Sequence, residues 1–220
     1  MPPPSQAPPS QAPPSQAPPR SSLTARADSR DQAVQAARTC FGRYGVRRTT
    51  MEQVAEVAGT TRAAMYRLFL GRRELVEASA ARRIAEIADD ITARVAIGEF
   101  DADGFLELFT QVSIEVIENI RHDDELNLLL GEGSPVTLPE LVWLPDVVER
   151  GLNFWRPWLE RARAMGAIRA DLSVEELSEW LQTVYPAIIL RSIPVTEERA
   201  LIERFVLASV ALVRAPATDS

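Results

Sequence analysis

Thr61, Arg62, Ala63, Ala64 and Tyr66 put a hydroxyl, a guanidinium, two small side chains and a phenol on one short stretch. On an exposed helix face these groups suit the major groove of duplex DNA. Arg62 can give two parallel hydrogen bonds to a guanine edge. Ala63 and Ala64 let the helix backbone come close to the bases. The hydroxyls of Thr50, Thr61 and Tyr66, with the guanidinium of Arg72, can bind phosphates and fix the register. The chemistry on offer is recognition of DNA rather than bond making.

A catalytic reading finds less material. His122-Asp123-Asp124-Glu125 has the residue types of a metal cluster. Adjacent residues on a helix point in different directions, so they do not converge on one ion. Acids at the positive end of a solvated helix start explain the run better. There is no Gly-rich phosphate loop, no Ser or Cys nucleophile motif and no His-Glu-x-x-His motif. No catalytic residue, metal or cofactor is expected.

Two short helices must position the DNA-facing groups. Thr50 is a candidate N-cap, and Gln53 completes a capping box with it. Met51, Val54, Ala55 and Val57 then form one apolar face. Ala58-Gly59-Thr60 breaks the helix, because Gly59 can take the positive φ of a tight turn. Thr61 caps the second helix, and Met65, Leu68 and Phe69 turn it toward a core. A helix, a short turn with glycine and a second helix make the helix-turn-helix pattern. An ordinary helical corner shares the glycine break but not the whole pattern.

On these residues the segment resembles the DNA-binding domain of the TetR (tetracycline repressor) family of bacterial regulators. The matching residues are Thr49-Thr50, Val54-Ala55, Ala58-Gly59, Tyr66, Phe69 and Glu74-Leu75. The departures are Thr60 for Val, Thr61 for Ser, Leu68 for an aromatic and Arg72 for Lys. Thr61 and Arg72 keep the chemistry of the residues they replace. The resemblance implies an all-α chain: an N-terminal three-helix reader, then a helical ligand-binding and dimerisation domain. It implies a homodimer on double-stranded operator DNA, joined through the last two helices. It also implies a small-molecule effector, with helix four as the lever to the reader and repression relieved by ligand as the usual arrangement.

Charge divides along the chain in the same way. The net charge is −7, and all 24 basic residues are Arg. From Arg20 to Leu75 eleven Arg stand against five acids, a surplus of six, which leaves −13 on the rest. A basic reader on an acidic body is what DNA binding leads one to expect. The lone Cys40 excludes an intramolecular disulfide framework and fits a reducing cytoplasm. No apolar run is long enough to span a membrane, and no secretory signal opens the chain.

In chain order, residues 1–27 read as a disordered Pro-rich tail in which Ser-Gln-Ala-Pro-Pro recurs at Ser5, Ser10 and Ser15. Arg20 and Arg26 suit a basic arm in the minor groove. The reader spans 28–75, opening with a helix from Ser29, boxed with Gln32, to about Arg43. The ligand-binding and dimerisation domain spans 76–215, and 216–220 is a flexible end. Its expected helices run from Gly71 or Arg72 to Ala96, Asp101 to Arg121, Asp123 to Leu130, Thr137 to Met165 with Pro145 and Pro157 as interruptions, Ser173 to Ser192, and Thr196 to Arg214. The last two are apolar on more than one face, as a dimer interface requires.

Aromatic residues crowd the middle of the chain. Phe105, Phe109, Trp155, Trp158 and Tyr185 are candidate effector contacts in an apolar cavity. Plain core packing is the alternative use of each. The acidic body favours a neutral or cationic lipophile over a polyanion. Two rival functions remain: a constitutive DNA-binding protein without an effector, and a helical enzyme or scaffold with a non-functional helix-turn-helix.

Overall fold

Local capping signals fix most helix starts. In the computed structural model, which describes residues 20–95, 101–191 and 194–211, helix α2 spans Met51–Val57 and opens on the expected box. The Thr50 hydroxyl accepts from the Gln53 amide at 3.2 Å, and the Gln53 side chain accepts from the Thr50 amide at 2.9 Å. Gly59 takes φ 63° at the turn. Helix α3, Arg62–Leu68, starts where the Thr61 hydroxyl accepts from Ala64 at 3.1 Å.

Helix α1 departs from expectation. It runs Arg20–Tyr44, so its first turns cover 20–27, read above as tail. The Ser29 hydroxyl caps nothing and donates to the Ala25 carbonyl at 2.7 Å. The reason is upstream: beyond Pro19 the stretch to Ser29 has no Pro or Gly and includes Leu23, Ala25, Arg26 and Ala27, all good helix formers. The Ser-Gln-Ala-Pro-Pro repeats lie outside the described residues.

Ala33, Ala37, Cys40 and Phe41 of α1 pack on Val54 and Ala55 of α2, with Met65 and Phe69, to form the reader's core. Thr49 is buried beneath the turn, its hydroxyl donating to the Gly45 carbonyl at 2.9 Å. Val57, expected on the apolar face, is half exposed.

Helix α4, Arg72–Arg94, continues from the reader into the body. It packs on α1 and also on α5 (Ala102–Arg121), α6 (Asp124–Leu130) and α8 (Pro145–Ala164). The stretch expected as one kinked helix from Thr137 is two. Helix α7 is Leu138–Leu141, with Glu140 accepting from the Thr137 amide and hydroxyl. Pro145 then starts α8 instead of interrupting it, since a first-turn amide needs no partner. Pro157 lies inside α8, and Pro186 inside α9, Val174–Ile189.

The last helix also differs. Helix α10, Val195–Leu201, passes through a π-helical stretch, Ile202–Leu207, into α11, Ala208–Val210. It stops short of the expected Arg214 because Ala211 leaves the helix to form an antiparallel bridge with Ile168. The Arg169 amide donates to the Val210 carbonyl at 3.1 Å there. Residues 212–220 lie outside the described residues, as does the expected end of α4 at Ala96.

One buried ion pair ties three helices together. Arg121, at the end of α5, donates to Glu198 of α10 at 2.7 Å and to the carbonyls of Ile188 and Ile189 of α9 at 3.0 and 3.1 Å.

Candidate nucleic-acid interface and ligand cavity

The reader presents the start of α3 to solvent. Thr61, Arg62, Ala63 and Tyr66 are exposed there, and Thr50 is exposed at the start of α2. Arg62 pairs with Glu52 at 2.5 Å, which brings the first turns of α2 and α3 side by side. The Arg62 guanidinium also lies 5.5 Å from the Tyr66 ring centre. The Thr50 and Thr61 oxygens accept backbone amides, yet each O–H remains a donor. Arg72 sits apart from α3, donating to the Arg47 carbonyl at 2.8 Å. Its other N–H groups remain for a phosphate.

Sequence reasoning missed Glu52. An acid beside a candidate DNA-binding face carries no positive signal of its own, and only the fold sets it against Arg62. It also missed how body and reader are joined. Arg38 of α1 donates to Glu86 of α4 at 2.6 Å and to Glu125 of α6 at 2.5 Å. Arg83 of α4 pairs with Asp123 at 2.8 Å. So the His122-to-Glu125 run is not simply a solvated helix start. Asp123 caps α6 by accepting from Leu126 and pairs with Arg83 of α4, while Glu125 meets Arg38 of the reader.

A second junction lies beside it. Arg73 donates to the Pro135 carbonyl at 2.6 Å and to Glu140 at 3.1 Å. Gly133 has φ 78°, and a Cβ there would stand 2.5 Å from the Arg47 side chain. Any other residue at Gly133 is strained by the positive φ and must push the Arg47 side chain aside.

Hydrogen bonds from Arg38 hold the Glu86 carboxyl at about 2, below its usual 4.5. A carboxylate held down in the folded state stabilises it above the unfolded pKa, and that contribution fades as pH falls through the folded value. Stability is therefore expected to drop between about pH 4.5 and 2, and Glu86→Gln to flatten that drop. Urea unfolding followed by circular dichroism across this range checks it. Equal pH slopes for both proteins would remove Glu86 from the account.

The body holds a partly open cavity of about 100 Å³ between α4, α5, α8 and α9, which the Leu138–Val142 segment also lines. Of the five candidate aromatics, Trp155 and Tyr185 line it, and Phe105, Phe109 and Trp158 do not. Those three are fully packed: Phe109 stacks 5.3 Å from Trp155, and Phe105 lies 5.9 Å from Phe109. Ring spacing along a helix cannot separate a cavity wall from the core behind it. The Tyr185 hydroxyl lies 2.8 Å from that of Ser113, and burial pushes the phenol above its ordinary range. Phe154 lines the cavity instead, with Ile84, Ile87 and Ile91 of α4 opposite.

Among the described residues no group of His, Cys, Asp or Glu is placed to hold a metal ion. No described helix is long and apolar enough to cross a membrane.

The fold and the α2–α3 face define a helix-turn-helix chain with a helical body. Residues 33–79 match the family described as bacterial regulatory proteins, tetR family. Over 51 residues the chain is 45% identical to the HTH-type transcriptional regulator TtgR of Pseudomonas putida, covering 23% of this chain and 24% of that protein. That match thus spans about a quarter of the relative's length. The HTH-type transcriptional repressor AcnR of Corynebacterium efficiens is 25% identical over 169 residues, 74% of this chain and 81% of that one. The fold resembles the R. erythropolis transcriptional repressor QsdR, with a TM-score of 0.62 at 20% identity over 86% of this chain and 98% of that structure. Residues 33–79 of this chain thus form a domain of the tetR family of bacterial regulatory proteins.

Proposed function

We propose that this protein is a homodimeric transcriptional repressor that leaves its operator when a small molecule enters the body. The observation that carries the reading is the exposed first turn of α3, where Arg62, Ala63 and Tyr66 stand free of the core on a capped, rigid helix. Arg62 reads a base. Thr50, Thr61, Tyr66 and Arg72 hold phosphates. Two relatives named as repressors, AcnR and QsdR, support the sign of the regulation. Binding of duplex DNA is expected to weaken linearly on a log–log plot against salt, as neutralised phosphates require. Salt-independent binding, or none, counts against the reading.

Dimerisation follows from the surface of the last helices. Trp180 and Leu190 on or beside α9 and Phe205 after α10 are exposed, Phe205 by 68%. The Trp180 indole donates to Ser209 at 2.7 Å, one turn after Phe205, so Trp180 and Phe205 share one side of the body. A second copy is the cover this face needs. Phe205→Asp is expected to shift sedimentation from dimer to monomer and to cut operator affinity with it. A variant that stays dimeric places the interface elsewhere.

The proposed coupling runs through α4. Ile84, Ile87 and Ala88 line the cavity, while Arg83 and Glu86 beside them hold α6 and the reader. A ligand that prefers one placement of α4 shifts the separation of the two recognition helices. Coupling of about 1–3 kcal/mol changes DNA affinity roughly 5–150-fold.

One observation favours a second reading, a constitutive DNA-binding protein. A cavity of about 100 Å³ is well below the roughly 300–1,000 Å³ of pockets for drug-sized ligands. DNA binding that no cavity ligand alters would favour it.

A further inference from the structure

The polar groups of the cavity narrow what it accepts. Most of the lining is apolar, and no Asp or Glu lines it. The exceptions, Arg150, Ser178 and Gln182, gather where α8 meets α9. Ser178 and Gln182 are one turn apart on the same face of α9. Gly151 follows Arg150, and a Cβ on it would stand 3.2 Å from the Gln182 side-chain oxygen. The cavity therefore has one polar end and an apolar remainder.

Each of these groups has a defined capacity. Gln182 Nε2 donates to the Val142 carbonyl at 2.6 Å, which orients the amide and leaves Oε1 as an acceptor. Ser178 is 4% exposed and lines the cavity beside Gln182. It can donate or accept. Arg150 is already paired with Asp89 at 3.1 Å, near the surface, so its charge is largely answered. A cation entering here meets no carboxylate on the cavity wall. An anion meets an acceptor oxygen and a guanidinium already engaged. An uncharged group that both donates and accepts satisfies Gln182 and Ser178 together.

Size sets the second limit. A cavity of roughly 150 Å³ lined by apolar side chains takes up benzene. At about 100 Å³, this one accommodates a single ring after small side-chain adjustments, with Phe154, Trp155 and Tyr185 as flanking aromatics.

We propose that the cavity binds a neutral, single-ring compound carrying one hydroxyl or carboxamide, its polar group held by Ser178 and Gln182. This rests on the reading of the cavity as the effector site and narrows the earlier expectation of a neutral or cationic lipophile to the neutral case. The ligand's O–H or N–H donates to Gln182 Oε1, and its oxygen accepts from the Ser178 hydroxyl.

The test uses phenol, benzamide, toluene, benzoate and benzylamine as probes on the full chain. Binding is read by calorimetry and by melting temperature, and DNA affinity is measured in the same samples. Phenol or benzamide is expected to bind most tightly, with benzylamine and benzoate weakest. Ser178→Ala and Gln182→Leu are expected to weaken phenol roughly three- to tenfold, the loss of a hydrogen bond, and to leave toluene unchanged. Ala88→Leu, which fills the cavity, is expected to abolish all binding. Should it fail to fold, the two α9 variants carry the test alone. Tighter binding of benzylamine or benzoate overturns the proposal. So does an unchanged phenol-to-toluene ratio in both α9 variants, or no binding of any probe by a protein that still binds DNA. Binding as described with DNA affinity untouched supports the ligand class and sinks only its role as effector.

Discussion

Replacing Arg121 with alanine is expected to destabilise the protein by about 3–5 kcal/mol, the cost of stripping a buried charge of its partner. Glu198 is 0% exposed, and the Arg121 side chain only 13%. One Glu198 oxygen accepts from Arg121, and the other has no partner among the described residues. Without the guanidinium the carboxylate is left in the interior with no counter-charge. The carbonyls of Ile188 and Ile189 lose a donor at the same time. Domains are stable by only about 5–15 kcal/mol, so the loss is a large part of the whole. Denaturant unfolding at fixed protein concentration measures it, since the stability of the proposed dimer depends on concentration. The double variant Arg121→Met with Glu198→Leu is expected to recover most of the loss, because an apolar pair needs no charge compensation. A single variant within about 1 kcal/mol of the parent would mean that water or a shifted neighbour already serves Glu198.

The Arg62→Ala protein is expected to lose about 1–3 kcal/mol of operator affinity, with preference relaxed at one base pair. In the free protein Arg62 is held by Glu52 at 2.5 Å. Both side chains are at least half exposed, and a surface pair of this kind is worth only about 0–1 kcal/mol. On the proposed reading a bidentate guanine contact, worth about 1–3 kcal/mol, outweighs it and draws Arg62 away. Glu52→Gln is accordingly expected to strengthen operator binding, by removing a competitor and a negative charge near phosphate. Binding to a set of single-base operator variants reads both effects. Unchanged discrimination in Arg62→Ala would take base reading away from this residue.

Local chemistry made much of this fold readable in advance. The boxes at Thr50, Thr137 and Ser173 and the cap at Thr61 lie within three residues of their partners, and all form as the residue types require. Ser29 with Gln32 has the same spelling and fails, because helix-forming residues precede it and the chain is already helical there. The start at Pro145 was misread as an interruption because Pro suits the first turn of one helix and breaks the interior of another. Ala211 leaves the last helix for a partner, Ile168, more than forty residues back, beyond the reach of any local pattern.

The site divides along the same line. Arg62 and Tyr66 of α3 are four residues apart, so their place on one face follows from helical geometry. Arg38 meets Glu125 across 87 residues, and no periodicity announces such a pair. In the cavity, Trp155 and Tyr185 were picked for their size, as were the three aromatics that pack behind them. Ser178 and Gln182 were not picked, because small polar residues on an apolar helix give no signal until the facing wall is known.

The central claim is sequence-specific reading of DNA by a two-fold dimer. Its most direct test is selection of bound sequences from random duplex DNA by the full chain, freed of small molecules, at moderate salt. The account predicts enrichment of a palindrome whose half-sites lie about 34–36 Å apart, or a multiple of that. Enrichment of no sequence, or of one without two-fold symmetry, contradicts it.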